Sequence, residues 1–216
     1  MAVTAQSFAP YEALAADLLP HAADTTDGSH DLAHILRVFR NALRIHGEEG
    51  GDGEVLAAAV LLHDCVAIEK NSPLRSEASR LASEKAAAIL RRLGWPEAKV
   101  GAAAHAVLAH SFSANIPPET REARILQDAD RLDAIGMVGA ARCFYVAGRL
   151  NSELYDPADP RAEHRAADDR TYSLDHFPAK LFRLAEGFRT PAGARLARDR
   201  HDRLRQFYDL FIEEIS

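Results

Sequence analysis

Ala57-Ala58-Ala59-Val60-Leu61-Leu62-His63-Asp64 is an apolar helical run that finishes on an adjacent histidine and aspartate. A helix that is apolar almost all round belongs at the centre of a helical core. It has little reason to end on two polar residues unless their side chains meet a partner. Upstream lies Ser29-His30-Asp31-Leu32-Ala33-His34, and downstream Gln127-Asp128-Ala129-Asp130-Arg131-Leu132-Asp133. Together the three stretches supply His34, His63, Asp64 and Asp130, each carried by an otherwise apolar helix. Two neutral imidazoles and two carboxylates suit one divalent cation and leave positions for water and a substrate oxygen. A metal held in this way usually does hydrolytic chemistry. Neighbours on a regular helix point about 100° apart, so His63 and Asp64 can grip one ion only where the helix frays or turns. Taken singly, each residue also has a plainer reading: a hydrogen-bonded core histidine, or an interior acid paired with an arginine. On residue chemistry alone both readings stand.

The rest of the chain reads as all-α. Alanine is abundant and β-branched or aromatic residues are sparse, which favours helices over strands. With 216 residues, one sizeable core is supported, so a single domain over 1–216 is expected. Periodicity and capping signals predict about eight helices. The first covers 8–20, with Tyr11, Leu14, Leu18 and Leu19 on one face and Pro20 closing it. The second starts at Ser29 as N-cap, with Asp31 in its first turn, and runs to about Gly47; His34 shares a stripe with Ile35, Val38, Phe39, Ala42 and Ile45. Asp52 caps the central helix, from Gly53 to about Glu69. Ser72-Pro73 starts a fourth that stops at Gly94, and Trp95-Pro96 a fifth that reaches His110. A long helix is predicted from Arg121 to about Ala147, where Gly136, Gly139 and Ala140 are small enough for another helix to press close. Residues 148–176 form a polar, proline-containing excursion of the kind that often covers a site. Two C-terminal helices follow within 177–215, over Phe177 to Phe188 and Thr190 to Ile215, the latter capped by Thr190-Pro191.

Composition narrows the partners. A net charge of −6 argues against a surface that coats nucleic acid, while leaving room for a local basic patch that meets a small anion. Cys65 and Cys143 lack the paired spacings of a zinc knuckle or disulfide scaffold and read as reduced thiols used as small hydrophobes. Residues 1–10 do not carry a basic segment followed by an apolar one, and no apolar run approaches the roughly 18 residues that span a bilayer. The expectation is a cytoplasmic protein without membrane contact.

The order His34…His63-Asp64…Asp130 resembles the H…HD…D signature of the HD-domain metal-dependent phosphohydrolases, an all-helical superfamily. Longer blocks match too, within core motifs over 29–135 and beyond. Ser-His-Asp-Leu-Ala-His-Ile-Leu-Arg-Val (29–38), Leu-Leu-His-Asp (61–64), Ala-His-Ser-Phe-Ser (109–113) and Gln-Asp-Ala-Asp-Arg-Leu-Asp-Ala-Ile-Gly (127–136) resemble the YedJ/YpgQ-like branch. Asp-His-Phe-Pro-Ala-Lys-Leu (175–181) and Arg-Asp-Arg-His (198–201) do so as well. The resemblance implies a nucleotide pyrophosphatase that cleaves a (deoxy)nucleoside triphosphate to the monophosphate and pyrophosphate. It implies one divalent ion, Mn²⁺ favoured over Mg²⁺, Fe²⁺ or Zn²⁺, on His34, His63, Asp64 and Asp130.

An acidic protein that takes a polyphosphate must find local cations. Lys70, Arg75, Arg80 and Lys85 follow the His-Asp pair closely enough to line one rim, Lys70 with a catalytic part and the others as substrate contacts; a solvated helix surface is the plain alternative. Asp64 is counted as catalytic as well as a ligand. Asp133 lies one turn beyond Asp130 and on the same side, where it can orient a ligand, act as general base or pair with an arginine. Glu69 and Asp31 are secondary base candidates. His105 and His110 fall where two-metal relatives place further ligands. Without a paired pattern one metal is expected, with His110 a phosphate contact or a core residue. Tyr145, Tyr155 and Tyr172 are candidates to stack on a base, Tyr172 being the one assigned to substrate. Two rival functions are a different phosphohydrolase (nucleotidase or phosphodiesterase) and a catalytically inactive nucleotide-binding regulatory domain. A di-iron oxygenase would need a second ligand set, and a homo-oligomer is left open.

Overall fold

In a computed structural model, the protein is described over residues 3–22, 31–66 and 77–215. Among these residues there are nine α-helices and no strand, with a single isolated bridge between Glu153 and Tyr172. The fold is all-α. The chain forms two compact units, Met1–Asp130 and Arg131–Ser216.

In the N-terminal unit, α3 (Gly53–Leu62) is the central element, and every residue from Val55 to Leu62 is buried. Helices α1 (Glu12–Leu18), α2 (Leu32–Glu49), α4 (Ala78–Arg92) and α5 (Glu97–Ala109) all pack against it. Asp52 caps α3 as expected, its carboxylate accepting from the Glu54 and Val55 amides at 3.0 and 3.1 Å. Each buried leucine or valine of α3 contributes about 1.5–3 kcal/mol relative to exposure, so the run in 55–62 anchors the unit. The sixth helix, α6 (Arg121–Asp133), carries Asp130.

Several boundaries differ from expectation. Helix α3 stops at Leu62 rather than near Glu69. The His63 imidazole takes the Val60 carbonyl and the Cys65 amide turns back to the Leu62 carbonyl, so the helical bonds are diverted there. Helix α2 is capped by Asp31, which accepts from the His34 amide at 2.9 Å; Ser29, the expected cap, lies outside the described residues. Helix α2 also runs to Glu49, two residues past Gly47. Over the predicted 8–20 the helix is α1 followed by a 3-10 turn (Leu19–His21), and a separate 3-10 turn (Ala5–Phe8) precedes it; Ala9, the residue before Pro10, is extended (ψ 139°), so no continuous helix starts at residue 8. The Ser72-Pro73 start signal also lies outside the described residues, and α4 is described from Ala78.

The long helix expected from Arg121 to Ala147 is two helices, α6 and α7 (Gly136–Arg149). The chain tightens through Ala134 N–H to Arg131 and Ile135 N–H to Leu132, then Ile135 becomes extended (φ −126°) and Gly136 takes φ +71°. Only glycine adopts that conformation without strain. Gly136 therefore makes the break, and it is also a close-approach position as expected, since a Cβ there would lie 3.2 Å from Cβ of Arg200 in the C-terminal helix. Phe177 to Phe188 is likewise not one helix but α8 (His176–Ala179) between two 3-10 turns, Ser173–Asp175 and Leu181–Ala185. Pro178 removes a donor and Lys180 leaves helical geometry (φ −138°).

Helix α7 packs on α9 (Pro191–Ile215), whose start is capped by Thr190 Oγ1 accepting from the Gly193 amide at 3.0 Å. The core of this unit is aromatic. Phe177 stacks on Phe207 at 5.8 Å, Phe144 on Phe211 at 5.6 Å, and Phe182 meets Tyr208 edge-on at 5.4 Å. The excursion over 148–176 is organised by Arg165. Its guanidinium forks onto the buried Asp175 carboxylate, pairs with Asp156 at 2.9 Å, donates to the Asp159 carbonyl and lies 4.7 Å from the Tyr172 ring. Asp175 also accepts from the Asp168 amide at 2.7 Å. Removing the cation leaves a buried carboxylate without its counter-charge. Arg165→Leu is expected to lower Tm by about 6–12 °C, with Arg165→Lys losing less because charge survives but the fork does not. Thermal melts of both variants check this; an unchanged Tm in Arg165→Leu would contradict it.

Candidate metal centre

The end of α3 solves the adjacency problem. Because the helix finishes at Leu62, His63 and Asp64 occupy a turn, and their side chains converge instead of diverging. His63 Nε2 lies 3.5 Å from Asp64 Oδ2. His34, presented by the first turn of α2, places its Nε2 3.3 Å from His63 Nε2 and 3.6 Å from Asp64 Oδ2. Asp130, from α6, puts Oδ1 3.5 Å from His34 Nε2. His34, His63 and Asp130 each offer a ligand atom, and these atoms all lie within 4.8 Å of one another.

Local structure sets the protonation. His63 Nδ1 contacts the Val60 carbonyl at 2.7 Å and His110 Nδ1 the Val107 carbonyl at 2.6 Å. A carbonyl can only accept, so Nδ1 carries the proton in both rings and Nε2 of the neutral ring keeps its lone pair. Both contacts use carbonyls that a helix leaves over in its last turn. His110, the C-cap of α5, lies with its ring 5.1 Å from that of His63 and its Nε2 3.8 Å from Asp64 Oδ1. Burial, and then the neighbouring His63, push its pKa below the ordinary histidine value, so it is neutral near pH 7.

The donor set fits a divalent ion. The four separations of 3.3–3.6 Å are within the range expected of neighbouring ligands each about 2.1 Å from one ion. The two imidazoles are 1% exposed, whereas the side chains of Asp64 and Asp130 are 27% and 29% exposed. The cluster is therefore backed by protein on its histidine side and open to water on its carboxylate side.

The other expected site residues have these places. Arg80 is exposed on α4 and paired with Glu77 and Glu84, both at 2.6 Å, so its charge is answered on its own helix. Lys85 donates to the Cys65 carbonyl at 2.6 Å, immediately after Asp64. Asp133 is buried and paired with Arg142 at 3.0 Å, the arginine partner that its plainer reading needs. Tyr172 packs against Arg165, Tyr155 against Phe211 at 6.2 Å, and Tyr145 is exposed. His105 accepts from the Glu119 amide, and Asp31 serves as the α2 cap. Lys70, Arg75 and Glu69 lie outside the described residues. Burial pushes the Cys65 and Cys143 thiols up to about 11, which suits packing rather than nucleophilic chemistry.

Two polar residues beside the cluster had escaped the sequence reading. Asn41 donates to the Ala129 carbonyl at 3.0 Å, and Gln127 to the Ala109 carbonyl at 2.7 Å. Their signal was there: an asparagine on the buried stripe of α2, and a glutamine three residues before Asp130.

The HD domain family matches residues 31–135, a span that contains all four donors. The YpgQ protein of Bacillus subtilis is 30% identical over 182 residues, covering 82% of this chain and 80% of its own length. The crystal structure of Bacillus subtilis YpgQ in complex with ADP superposes with a TM-score of 0.67 at 31% identity, covering 86% of each chain. An HD-superfamily hydrolase from Bacillus thuringiensis gives a TM-score of 0.72 at 29% identity, covering 98% of each chain. With these similarities over most of its length, the chain belongs to the HD-domain hydrolase superfamily, in the YpgQ-like branch.

Proposed function

We propose that this protein is a metal-dependent phosphohydrolase and, within that class, a nucleotide pyrophosphatase. The observation that carries the proposal is that His63, Asp64 and Asp130 each bring a ligand atom to 3.3–3.6 Å from His34 Nε2. A divalent ion held by these side chains supplies Lewis acidity toward a phosphoryl oxygen and toward water. The His63 ring is oriented for that task by the Val60 carbonyl. His110 Nε2, neutral and 3.8 Å from Asp64 Oδ1, accepts a proton from the attacking water beside Asp64. Lys85 uses one of its three donors on the Cys65 carbonyl, which places a cation next to Asp64 for a polyphosphate. Lys70 and Arg75 are proposed to extend this basic rim. Asp133, paired with Arg142, steadies the end of α6 and handles no proton. The ADP complex of YpgQ supports a nucleotide as the ligand.

Water attacks the α-phosphorus of a nucleoside triphosphate, the α–β bridging P–O bond breaks, and the products are the monophosphate and pyrophosphate. Incubating the purified protein with ATP or dATP and Mn²⁺ is expected to yield monophosphate and pyrophosphate in equal amounts. Release of inorganic phosphate instead would make it a nucleotidase. Nucleotide binding without turnover under any divalent ion would make it a regulatory domain.

A further inference from the structure

We infer that Asn41 and Gln127 are positioning residues that hold Asp130 within reach of His34; the inference rests on the metal reading above. Both are buried and lie on the helices that carry the donors. Asn41 is two turns beyond His34 on α2, and seven residues at about 100° each return to nearly the same face. Its amide donates to the Ala129 carbonyl, the residue before Asp130. Gln127 precedes Asp130 by three residues on α6, again on one face. Its amide donates to the carbonyl of Ala109, the last residue of α5 and the neighbour of His110. That carbonyl belongs to a helix C-terminus, where no intrahelical partner is available.

Helix α6 is thus pinned at two points, Gln127 and Ala129, in the turn that leads to Asp130. One pin runs to the helix of His34, the other to the end of the helix that His110 caps. In each the partner is a carbonyl, so each side chain must present its NH₂ group, and neither a carboxylate nor a hydrocarbon can substitute. Loss of either pin lets α6 slide or rotate against its neighbour. Asp130 Oδ1 reaches His34 Nε2 at 3.5 Å, so a displacement on the order of 1 Å takes it out of coordinating range. The pins act through Asp130 and touch no substrate.

The test is a calorimetric titration of metal-free protein with MnCl₂, alongside the Tm of each metal-free variant. Asn41→Leu and Gln127→Leu are expected to weaken Mn²⁺ binding by about tenfold to a hundredfold. Ser83→Ala is the control. It removes a bond of the same kind, Ser83 Oγ to the Ala104 carbonyl at 2.7 Å, and is expected to lower Tm while leaving Mn²⁺ affinity within about twofold. Should a leucine variant fail to fold, Asn41→Ala and Gln127→Met read the same quantity. Folded variants that bind Mn²⁺ as tightly as the wild type would overturn the inference. A wild type that binds no Mn²⁺ would instead bring down the metal reading itself, and the two failures are told apart by that one curve.

Discussion

Asp130→Ala is expected to reduce metal-dependent hydrolysis by about a thousandfold or more in kcat/KM, with the fold intact. The carboxylate arrives from α6, whereas the imidazoles arrive from α2 and from the turn after α3, so no neighbouring side chain replaces it. Its side chain is 29% exposed and approaches His34 at 3.5 Å, so its removal leaves no buried charge behind. The metal-free Tm should therefore move by no more than about 2 °C. The rise in Tm that Mn²⁺ gives the wild type should disappear, because that rise measures binding to the folded state alone. A variant that retains a tenth of the activity, or the Mn²⁺-dependent rise, would remove Asp130 from the site.

Gly139→Ala is expected to destabilise the protein by about 3 kcal/mol, a fall in Tm of about 6–12 °C. Helix propensity alone points the other way, since alanine is worth about 1 kcal/mol over glycine within a helix. Sterics decide the sign. A Cβ on Gly139 would sit 2.4 Å from the Ala134 carbonyl oxygen and 2.6 Å from its carbon, and these are backbone atoms of the α6–α7 break that cannot rotate aside. Gly148, on the same helix, has nothing within 4 Å of its Cβ position, so Gly148→Ala is expected to be neutral or to raise stability by up to about 1 kcal/mol. Chemical denaturation of the two variants gives the comparison directly. Equal effects of one sign would show that the break is not rigid.

The donors were legible because metal chemistry restricts residue type so strongly. Few arrangements explain an apolar helix that ends on His63-Asp64, with His34 and Asp130 on two other apolar stripes. Asp52 and Thr190 were legible as caps because capping depends on the residue and its immediate neighbours. The break at Gly136 was not, because the apolar periodicity of 121–147 runs through it. A small residue is visible in the sequence, but only the backbone φ, a tertiary consequence, shows that Gly136 breaks the helix as well as letting Arg200 of α9 approach. The basic residues were read by proximity in sequence, which does not say where a long side chain ends. Arg80 finds Glu77 and Glu84 one turn away on either side, whereas Lys85 reaches back across twenty residues to Cys65. Asn41 and Gln127 were missed for a related reason: a buried amide announces that it has partners, but their identity depends on which helices meet.

The most direct test of the four-donor site is anomalous diffraction from a crystal grown with MnCl₂. One peak is predicted, with His34 Nε2, His63 Nε2 and the carboxylates of Asp64 and Asp130 all within about 2.0–2.2 Å of it. Clear density for those four side chains with no peak between them, or manganese bound only elsewhere, would contradict the account.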